Sequence, residues 1–366
     1  MGVDVRVRVK AVAPPPHPCD ESPRCHATCT PSVTTLIIIV GGRRSCRFHN
    51  EQTRRWPARR RCSWGVAGGL APKPKEPMPD QPAPIRIALP KGRMYQGVVD
   101  LLAQAGIHVR AGAREYRPTL SLPGYEVKLL KPHNIVEMLQ LGSRDVGFAG
   151  ADWAAELEVD VVELLDTGLD PVRLVAAAPR DLLVDGKLPT RSLVFASEYE
   201  RLTRNWIARR GHDDIFVRSY GATEVFPPED ADCIVDNTAT GSTLKANGLH
   251  IVDELMCSST RVFANPRAMD DPDRRSRIED LMLVLRSVLE ARRRVLVEIN
   301  VSAADLEGLI AVLPCMREPT ISPLHGQAGY AVKAAVRREQ LPALIPLLKA
   351  RGGTDVLVTA PSQIVP

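Results

Sequence analysis

The chain of 366 residues is long enough for two or three domains, and its 44% hydrophobic and 25% charged content is that of an ordinary globular protein. The net charge of +5 comes from residues 1–84, which hold 14 Lys and Arg against 6 Asp and Glu, so the remainder is mildly acidic and we expect no nucleic-acid partner. No apolar run approaches the roughly 20 residues of a membrane span, so we expect no membrane segment.

Residues 1–84 differ in composition from the rest of the chain, because they contain 13 of the 31 Pro and 5 of the 8 Cys. Their apolar run, "VTTLIIIVGG" (33–42), begins too late for a signal peptide. The cysteines nearest the start follow no common zinc-ligand spacing. We expect a disordered extension. A transit peptide, or untranslated codons before a start at Met78, are the alternatives that stay open.

Strands and helices alternate from residue 85 onward. "IRIAL" (85–89) is a short buried strand, and after the turn "PKGR" apolar residues recur at helical spacing until Gly106. A second strand, "EVKLLK" (126–131), precedes a short helix with Pro132 at its start. This alternation predicts parallel sheets with helices on both faces in two lobes, with ligands outside the carboxyl ends of the strands. Further strands are predicted over 145–150, 172–179, 191–197, 214–221, 233–235 and 260–265, with helices over 151–157, 198–211 and 274–294.

Residues 295–366 have a pattern of their own. "VLVEINV" (295–301) is a strand, and the helix after it has Ser302 as its N-cap. Two more strands, within 317–326 and 329–336, precede a helix that Gly352 ends and a last strand over 354–360. The order β-α-β-β-α-β is that of a ferredoxin-like unit, so we predict a separate C-terminal domain.

The stretch "DNTATGSTLKANGL" (236–249) has the pattern of a phosphate site. The apolar strand "CIV" runs into Asp236, and the loop behind it carries hydroxyls and a glycine before a helix starts at Leu244. Loop N–H groups and hydroxyl donors can converge on one anion. We therefore predict a ribose-5-phosphate site in which a carboxylate holds the ribose hydroxyls, and ordinary helix caps are the competing interpretation. The loop residues are Thr238, Thr240, Gly241, Ser242 and Thr243.

Charged and small residues stand at other predicted strand ends, where a cleft would form. The turn at Lys91, Gly92 and Arg93 suits a polyphosphate, although a solvated turn has the same composition. No GxSxG, HExxH, Walker A or GxGxxG motif is present, and the histidines are scattered. The reaction should therefore depend on positioning and electrostatics more than on a strong base. The remaining candidates are Lys131, Gly150, Asp152 and Glu224, the last for a sugar or a metal ion.

Three segments, in this order, resemble the ATP phosphoribosyltransferase family: "RIALPKGRM", "KPHNIVEMLQLGSRDVGFAGAD" and "DCIVDNTATGSTLKANGL". The tail from "LPCMREPTISPLHG" onward resembles the regulatory domain of that family's long form, so the resemblance covers residues 85–366. It implies an α/β catalytic core of two lobes like a periplasmic solute-binding protein, together with a ferredoxin-like (ACT-like) regulatory domain. The implied division is 85–179 plus 260–291 for the first lobe, 180–259 for the second and 295–366 for the regulatory domain.

The resemblance also implies the reaction. N1 of ATP attacks C1 of phosphoribosyl pyrophosphate (PRPP), pyrophosphate leaves, and the product enters histidine biosynthesis. Mg²⁺ is the implied cofactor and histidine the implied feedback inhibitor. The enzymes that the chain resembles form dimers and hexamers, and we expect a cytoplasmic location.

The site residues follow from the same resemblance. Lys91, Arg93, Glu224 and Asp236 would be catalytic, and the metal ligands stay unknown. PRPP would bind Asp236 and the loop residues Thr238, Thr240, Gly241, Ser242 and Thr243. ATP or pyrophosphate would bind Lys91, Gly92, Arg93, Lys131, Gly150 and Asp152. Histidine would bind near Asn300, Met316 and Thr320.

Two departures from the family pattern leave the ribose contacts open. Asn237 and Thr238 stand where relatives have aliphatic residues, and "VFPPED" follows Glu224 where relatives tend towards "VAP". Two other classes are weighed against the enzyme. A salvage phosphoribosyltransferase normally has two adjacent acids before its loop, whereas Asp236 is followed by an amide. A two-lobed solute-binding protein should carry a signal peptide and would leave the tail unexplained.

Overall fold

A computed structural model describes residues 83–114 and 116–365 of the chain. The expectations for residues 1–82, including a start at Met78, therefore lie outside the described residues. No helix within the described ranges is long and apolar enough to cross a membrane.

Residues 85–157 contain three parallel strands with helices on both faces, as the alternation predicts, and a separate antiparallel pair formed by the second and third strands of the chain. In chain order the elements are β1 (Ile85–Pro90), α1 (Met94–Gln104), β2 (Val109–Arg114), β3 (Arg117–Leu120), β4 (Tyr125–Leu130), α2 (Pro132–Gln140), β5 (Val146–Gly150) and α3 (Ala151–Leu157). Strand β1 lies between β4 and β5 and is parallel to both. Because its side chains alternate between faces, Ile87 and Leu89 pack with α1 while Ala88 packs with α2.

The next part of the chain continues the same sheet. Its elements are β6 (Val162–Pro179), β7 (Val194–Ser197), α4 (Glu200–Ile207), β8 (Ile215–Arg218), β9 (Cys233–Thr238), α5 (Ser242–Ala246), β10 (Leu249–Ala264), α6 (Pro266–Asp270) and α7 (Pro272–Arg293). Strand β7 is parallel to β8 and β9. The sheet has eight strands in the order β4-β1-β5-β10-β6-β9-β7-β8. We call the β4-β1-β5 side lobe I and the β9-β7-β8 side lobe II.

Two long antiparallel strands, β6 and β10, connect the lobes. Residues 260–264 of β10 pair with β5 in lobe I, and residues 173–177 of β6 pair with β9 in lobe II. The two strands also pair with each other from one end to the other, and their register shifts at several points, among them around Ser258 and Thr260. A further contact joins the lobes, because the Glu156 carboxylate on α3 accepts the N–H groups of Arg201 and Leu202 in the first turn of α4, each at 2.9 Å.

The sequence prediction was wrong about this central pair. It placed separate strands at 172–179 and 260–265 in a parallel sheet, but these are parts of strands of 18 and 16 residues, and both run antiparallel to their neighbours. The missed segments, 162–171 and 249–259, have several exposed polar positions and no clear apolar alternation. Strand β6 pairs with β10 from Val162 to Pro179 and gains β9 as a second neighbour from Arg173 onward.

Residues 294–359 form a second sheet. Its elements are β11 (Arg294–Val301), α8 (Leu306–Ile310), β12 (Thr320–Pro323), β13 (Tyr330–Arg337), α9 (Leu341–Ala350) and β14 (Thr354–Thr359). The strands are antiparallel in the order β12-β13-β11-β14. This is the β-α-β-β-α-β order read from the sequence. Alternate residues of β11, from Val295 to Val301, are buried beneath the helices.

One local prediction in this segment was wrong. Helix α8 begins at Leu306, and Ser302 instead accepts the N–H of Asp305 at 3.2 Å within the turn before it. After β14 the chain returns to lobe I, where the Ile364 N–H donates to the Ser287 carbonyl of α7 at 3.0 Å. Short 3₁₀ segments lie at Arg180–Leu182, Ala208–Arg210, Thr223–Val225, His325–Gln327 and Arg338–Gln340.

Candidate active site

A cavity of about 350 Å³ lies where the two lobes meet. The ends of β1, β5 and β9 and the middle parts of β6 and β10 contribute its walls. Four of the residues predicted to bind ATP or pyrophosphate line it, and so does Asn237. The lining residues include Lys91, Arg93, Gly150, Asp152, Trp153, Asp170, Asn237 and Ser258.

The cationic turn between β1 and α1 presents two exposed side chains to this cavity. Gly92 adopts a φ of +83°, a conformation that favours glycine because it has no Cβ. The turn is anchored by the Lys91 N–H, which donates to the Leu130 carbonyl at 2.9 Å. The Lys91 ammonium lies 5.2 Å from the ring centroid of Tyr116, within the range of a cation–π contact. Lys131 is also exposed, at the end of β4, but it does not line the cavity.

Asp152 is almost fully buried, with 5% of its surface exposed, and both carboxylate oxygens are hydrogen-bonded within the protein. Ser258 donates to Oδ1 at 2.7 Å and Tyr199 donates to Oδ2 at 2.6 Å. Gly150 makes room for this arrangement, because a Cβ there would lie 2.0 Å from Asp152 Oδ1. Gly150 and Asp152, predicted from the sequence as contacts of ATP or pyrophosphate, both line the cavity, and the Asp152 carboxylate also accepts these two hydrogen bonds within the protein.

The hydrogen bonds continue from Tyr199 into lobe II. The Asn237 side-chain amide donates to the Tyr199 hydroxyl at 2.8 Å. Trp153 stacks on the Tyr199 ring with centroids 4.6 Å apart and an interplanar angle of 27°. Burial, followed by the nearby charge and hydrogen bond of Asp152, raises the pKa of Tyr199 well above its ordinary value, so this hydroxyl keeps its proton at neutral pH.

The hydroxyl loop after β9 has the strand–loop–helix form read from the sequence. Thr238 is buried, and its Oγ1 accepts the Gly241 N–H at 2.9 Å, which shapes the loop. Gly241 adopts a φ of +78° immediately before α5. Thr240, Ser242 and Thr243 are exposed, and the Thr240 hydroxyl lies 3.0 Å from that of Ser242. Three of the five residues therefore have hydroxyls open to a ligand, and the buried Thr238 supports the loop.

Asp236, at the end of β9, has unusual electrostatics. Burial raises the pKa of its carboxyl to about 7, and the charges of Glu224 and Glu198 act in the same direction. The Asn237 N–H, which donates to Oδ1 at 2.7 Å, and the charge of Arg93 lower the pKa and only partly offset this rise. Arg93 belongs to lobe I, so its charge acts on the Asp236 carboxyl from across the cleft.

The acidic residues do not form a ready-made metal cage. Within the described residues, no group of three His, Cys, Asp or Glu side chains has the geometry to hold a metal ion. Mg²⁺ usually binds through one or two carboxylates, with substrate phosphates and water as further ligands. The Asp236 and Glu224 carboxylates fit that role, since both are half-buried oxygen donors close enough to influence each other's charge.

Sequence reasoning missed Tyr199, Trp153 and Ser258. Tyr199 follows the end of β7, and Ser258 lies within a strand segment that was not predicted. Tyr199 lies 47 residues and Ser258 lies 106 residues along the chain from Asp152, the residue to which both donate. Nothing local in the sequence marks them, although a tyrosine directly after a buried strand end is a position that could have been listed with the other strand-end candidates.

The three residues predicted for histidine binding all lie beside β13. Asn300 is opposite Ala331, Thr320 is opposite Lys333, and the Met316 N–H donates to the Ala335 carbonyl at 3.1 Å. They are thus spread along the strand, since residues advance about 3.3 Å each. The Asn300 amide also donates to Asp355 at 3.0 Å.

Comparison with known proteins gives consistent matches. The family profile described as ATP phosphoribosyltransferase matches residues 131–287, and the profile described as HisG, C-terminal domain, matches residues 291–361. An ATP phosphoribosyltransferase of Pelodictyon phaeoclathratiforme is 34% identical over 277 residues, which are 74% of this chain and 94% of the relative. One from Pelotomaculum thermopropionicum is 34% identical over 287 residues, 77% of this chain and 99% of the relative.

A solved structure is also similar. It is a chain of the ATP phosphoribosyl transferase (HisG:HisZ) complex from Thermotoga maritima. The TM-score is 0.51 at 25% identity, and the match covers 56% of this chain and 98% of that one. The similarity supports the α/β core.

Proposed function

We propose, from the premise that the chain belongs to the ATP phosphoribosyltransferase family and catalyses the first step of histidine biosynthesis, that the cavity between the lobes is where PRPP and ATP react. One observation carries this proposal. The cationic turn of lobe I and strand β9 of lobe II, which leads into the hydroxyl loop, line the same cavity through Lys91, Arg93 and Asn237. The salvage-type and solute-binding alternatives do not fit the family assignment.

The hydroxyl loop is the proposed site of the PRPP 5-phosphate. The exposed hydroxyls of Thr240, Ser242 and Thr243 and the loop N–H groups can donate to three phosphate oxygens. We assign the ribose hydroxyls to Asp236, which lies near the strand end before the loop, because hydroxyls donate their strongest hydrogen bonds to an ionised carboxylate. The bound ribose would therefore extend from the loop towards the cavity.

The cationic turn is the proposed site of the pyrophosphate group and of the ATP phosphates. As C1 of the ribose loses pyrophosphate, negative charge grows on the leaving group, and preorganised cations stabilise charge that develops in a transition state. Lys91 and Arg93 are exposed to the cavity and can supply these cations. Mg²⁺, held by substrate oxygens together with Asp236 and Glu224, would supply Lewis-acid stabilisation of the leaving group.

The nucleophile needs no strong base from the protein. Adenine N1 already has a free lone pair at neutral pH, so the residues have to orient ATP against C1 and exclude competing water. Two aromatic side chains lie near these cations. Trp153 lines the cavity next to Asp152, and the Lys91 ammonium lies over the ring of Tyr116. This fits a site that works by positioning, as the absence of common catalytic motifs from the sequence led us to expect.

Regulation is the proposed role of residues 295–366. Their four-stranded sheet and two helices match the profile of the family's C-terminal domain. We assign histidine binding to this domain, near Asn300, Met316 and Thr320, and inhibition to a histidine-bound state that disfavours the active arrangement of the lobes. Assembly into dimers and hexamers and a cytoplasmic location complete the proposal, and free Cys233, Cys257 and Cys315 suit a reducing compartment.

A steady-state assay tests the proposed site. The purified chain with ATP, PRPP and Mg²⁺ should form phosphoribosyl-ATP and pyrophosphate. Arg93→Ala should lower kcat/KM by about 10- to 150-fold, because a hydrogen bond to a charged group contributes about 1.5–3 kcal/mol. Lys187→Ala is the matched control, since Lys187 is an exposed lysine on a turn outside the cavity lining. Equal activity of both variants would remove the cationic turn from the site.

A further inference from the structure

The buried hydrogen bonds between the lobes form a single chain from Asp152 through Tyr199 to Asn237. Tyr199 is 0% exposed, and its hydroxyl has two side-chain partners at 2.6 and 2.8 Å. Asp152 belongs to lobe I, and Asn237 lies near the end of β9, just before the hydroxyl loop. Both partners line the cavity. We call Asp152, Tyr199 and Asn237 the relay.

A tyrosine that only packs has no need of this arrangement. Tyr125 shows the ordinary case, because its hydroxyl donates to a single backbone carbonyl, that of Arg277, at 2.8 Å. The Tyr199 backbone is also fixed to the strand that bears Asn237. Its N–H donates to Ser197 Oγ at 2.9 Å, and that hydroxyl donates to the Val235 carbonyl of β9 at 2.6 Å.

The relay has a fixed direction. A carboxylate has no proton to donate, so the Tyr199 hydroxyl must donate to Asp152 and can only accept from Asn237. The Asn237 amide must then turn its NH₂ group towards Tyr199. This leaves its carbonyl oxygen, an acceptor, as the atom available to a ligand in the cavity.

We propose that Tyr199 is a positioning residue for phosphoribosyl transfer, whose hydroxyl orients Asn237 so that the amide carbonyl accepts a hydroxyl of the PRPP ribose. The inference rests on the proposed site for PRPP. It gives a physical role to Asn237, which departs from the aliphatic residue expected there. It also explains why Asp152, although it lines the cavity, is almost fully buried, since it holds the far end of the relay.

The interlobe contacts allow the relay to be tested without separating the lobes. The Glu156 carboxylate holds α4 independently of Tyr199, through two backbone N–H groups. Strands β6 and β10 cross between the lobes as well. Tyr199→Phe removes only the hydroxyl and keeps the stacked ring, so we expect a folded protein.

The experiment is a double-mutant cycle on the full chain, with kcat and KM measured separately for PRPP and ATP. Tyr199→Phe and Asn237→Ala should each lower kcat/KM for PRPP at least tenfold, with KM for ATP changed less than threefold. The kcat/KM of the double variant for PRPP should lie within threefold of that of the less active single variant, because both changes remove the same contact. Tyr125→Phe, which removes one half-buried tyrosine hydrogen bond, should stay within twofold of the wild type.

The inference is overturned if Tyr199→Phe behaves like Tyr125→Phe, or if the effects of the two relay variants multiply. Should Tyr199→Phe not fold, the same cycle with Asp152→Asn decides. Asp152 is linked to Asn237 through Tyr199, so non-additive effects support the relay and multiplicative effects refute it. A wild type that forms no phosphoribosyl-ATP would instead refute the proposed function, which keeps the two failures distinct.

Discussion

Replacing Asp236 by asparagine should stabilise the substrate-free protein, and the gain should grow with pH. Burial raises the pKa of this carboxyl from 3.8 to about 7, so the folded protein holds the proton more tightly than the unfolded chain does. Between these values the unfolded chain has lost the proton and the folded protein has kept it. The stability of the wild type therefore falls as pH rises through this window and becomes constant above it.

The magnitude follows from the same two values. At about 1.36 kcal/mol per pH unit, the rise in the pKa of Asp236 from 3.8 to about 7 corresponds to a cost of up to about 4 kcal/mol in alkaline solution. Most of this cost arises between pH 5 and pH 8. We expect the stabilisation of Asp236→Asn over the wild type to be about 2–3 kcal/mol larger at pH 8 than at pH 5.

Urea unfolding of both proteins at the two pH values is the assay. Asp185→Asn, on an exposed turn, is the control and should shift stability equally at both. A gain for Asp236→Asn that is the same at pH 5 and pH 8, or a loss at pH 8, would refute the reasoning. It would show that the Asn237 N–H and Arg93 outweigh burial. The variant should also lose activity, because the neutral amide binds the ribose hydroxyls less strongly than an ionised carboxylate.

Three further outcomes are expected. Thr243→Ala should lower kcat/KM for PRPP by about 10- to 150-fold, because one hydrogen bond to a charged phosphate is lost; steady-state kinetics with ATP varied should change little, and equal losses for both substrates would contradict the assignment. Histidine should inhibit the intact enzyme by about 5- to 150-fold, as expected for a coupling free energy of about 1–3 kcal/mol between the two sites. Removal of residues 295–366 should abolish this inhibition, and equal inhibition of both forms would refute the regulatory role. Asp145→Ala should destabilise the protein by about 3–5 kcal/mol in urea unfolding, since Asp145 is 2% exposed and binds Arg86 and Arg274 at 2.7 Å each; a loss below 1 kcal/mol would contradict this.

Local signals in the sequence were sufficient for much of the fold. Apolar spacing and terminal glycines located α1 and α4, because Gly106 follows the end of α1 and Gly211 ends the 3₁₀ segment that continues α4, both in left-handed conformations. The hydroxyl loop was found because its residues are contiguous. The C-terminal sheet was read correctly mainly because its central strands have a clear apolar alternation, as in β11 and β13.

The rest depended on contacts between distant residues. Strands β6 and β10 pair with each other along their whole lengths, and this pairing keeps them extended although many of their side chains are polar and exposed. No apolar pattern in the sequence therefore marks these strands. Asp152 was read as a ligand contact because Gly-x-Asp at a strand end has that form. Only the approach of Tyr199 and Ser258 from elsewhere in the chain shows that its two oxygens also accept hydrogen bonds within the protein.

A crystal structure of the protein with PRPP bound tests the central claim most directly. We expect the 5-phosphate on the loop from Thr240 to Thr243, the ribose hydroxyls within hydrogen-bond distance of Asp236 and the Asn237 carbonyl oxygen, and the pyrophosphate group facing Lys91 and Arg93. A 5-phosphate bound at the cationic turn, or PRPP bound outside the interlobe cavity, would contradict the account.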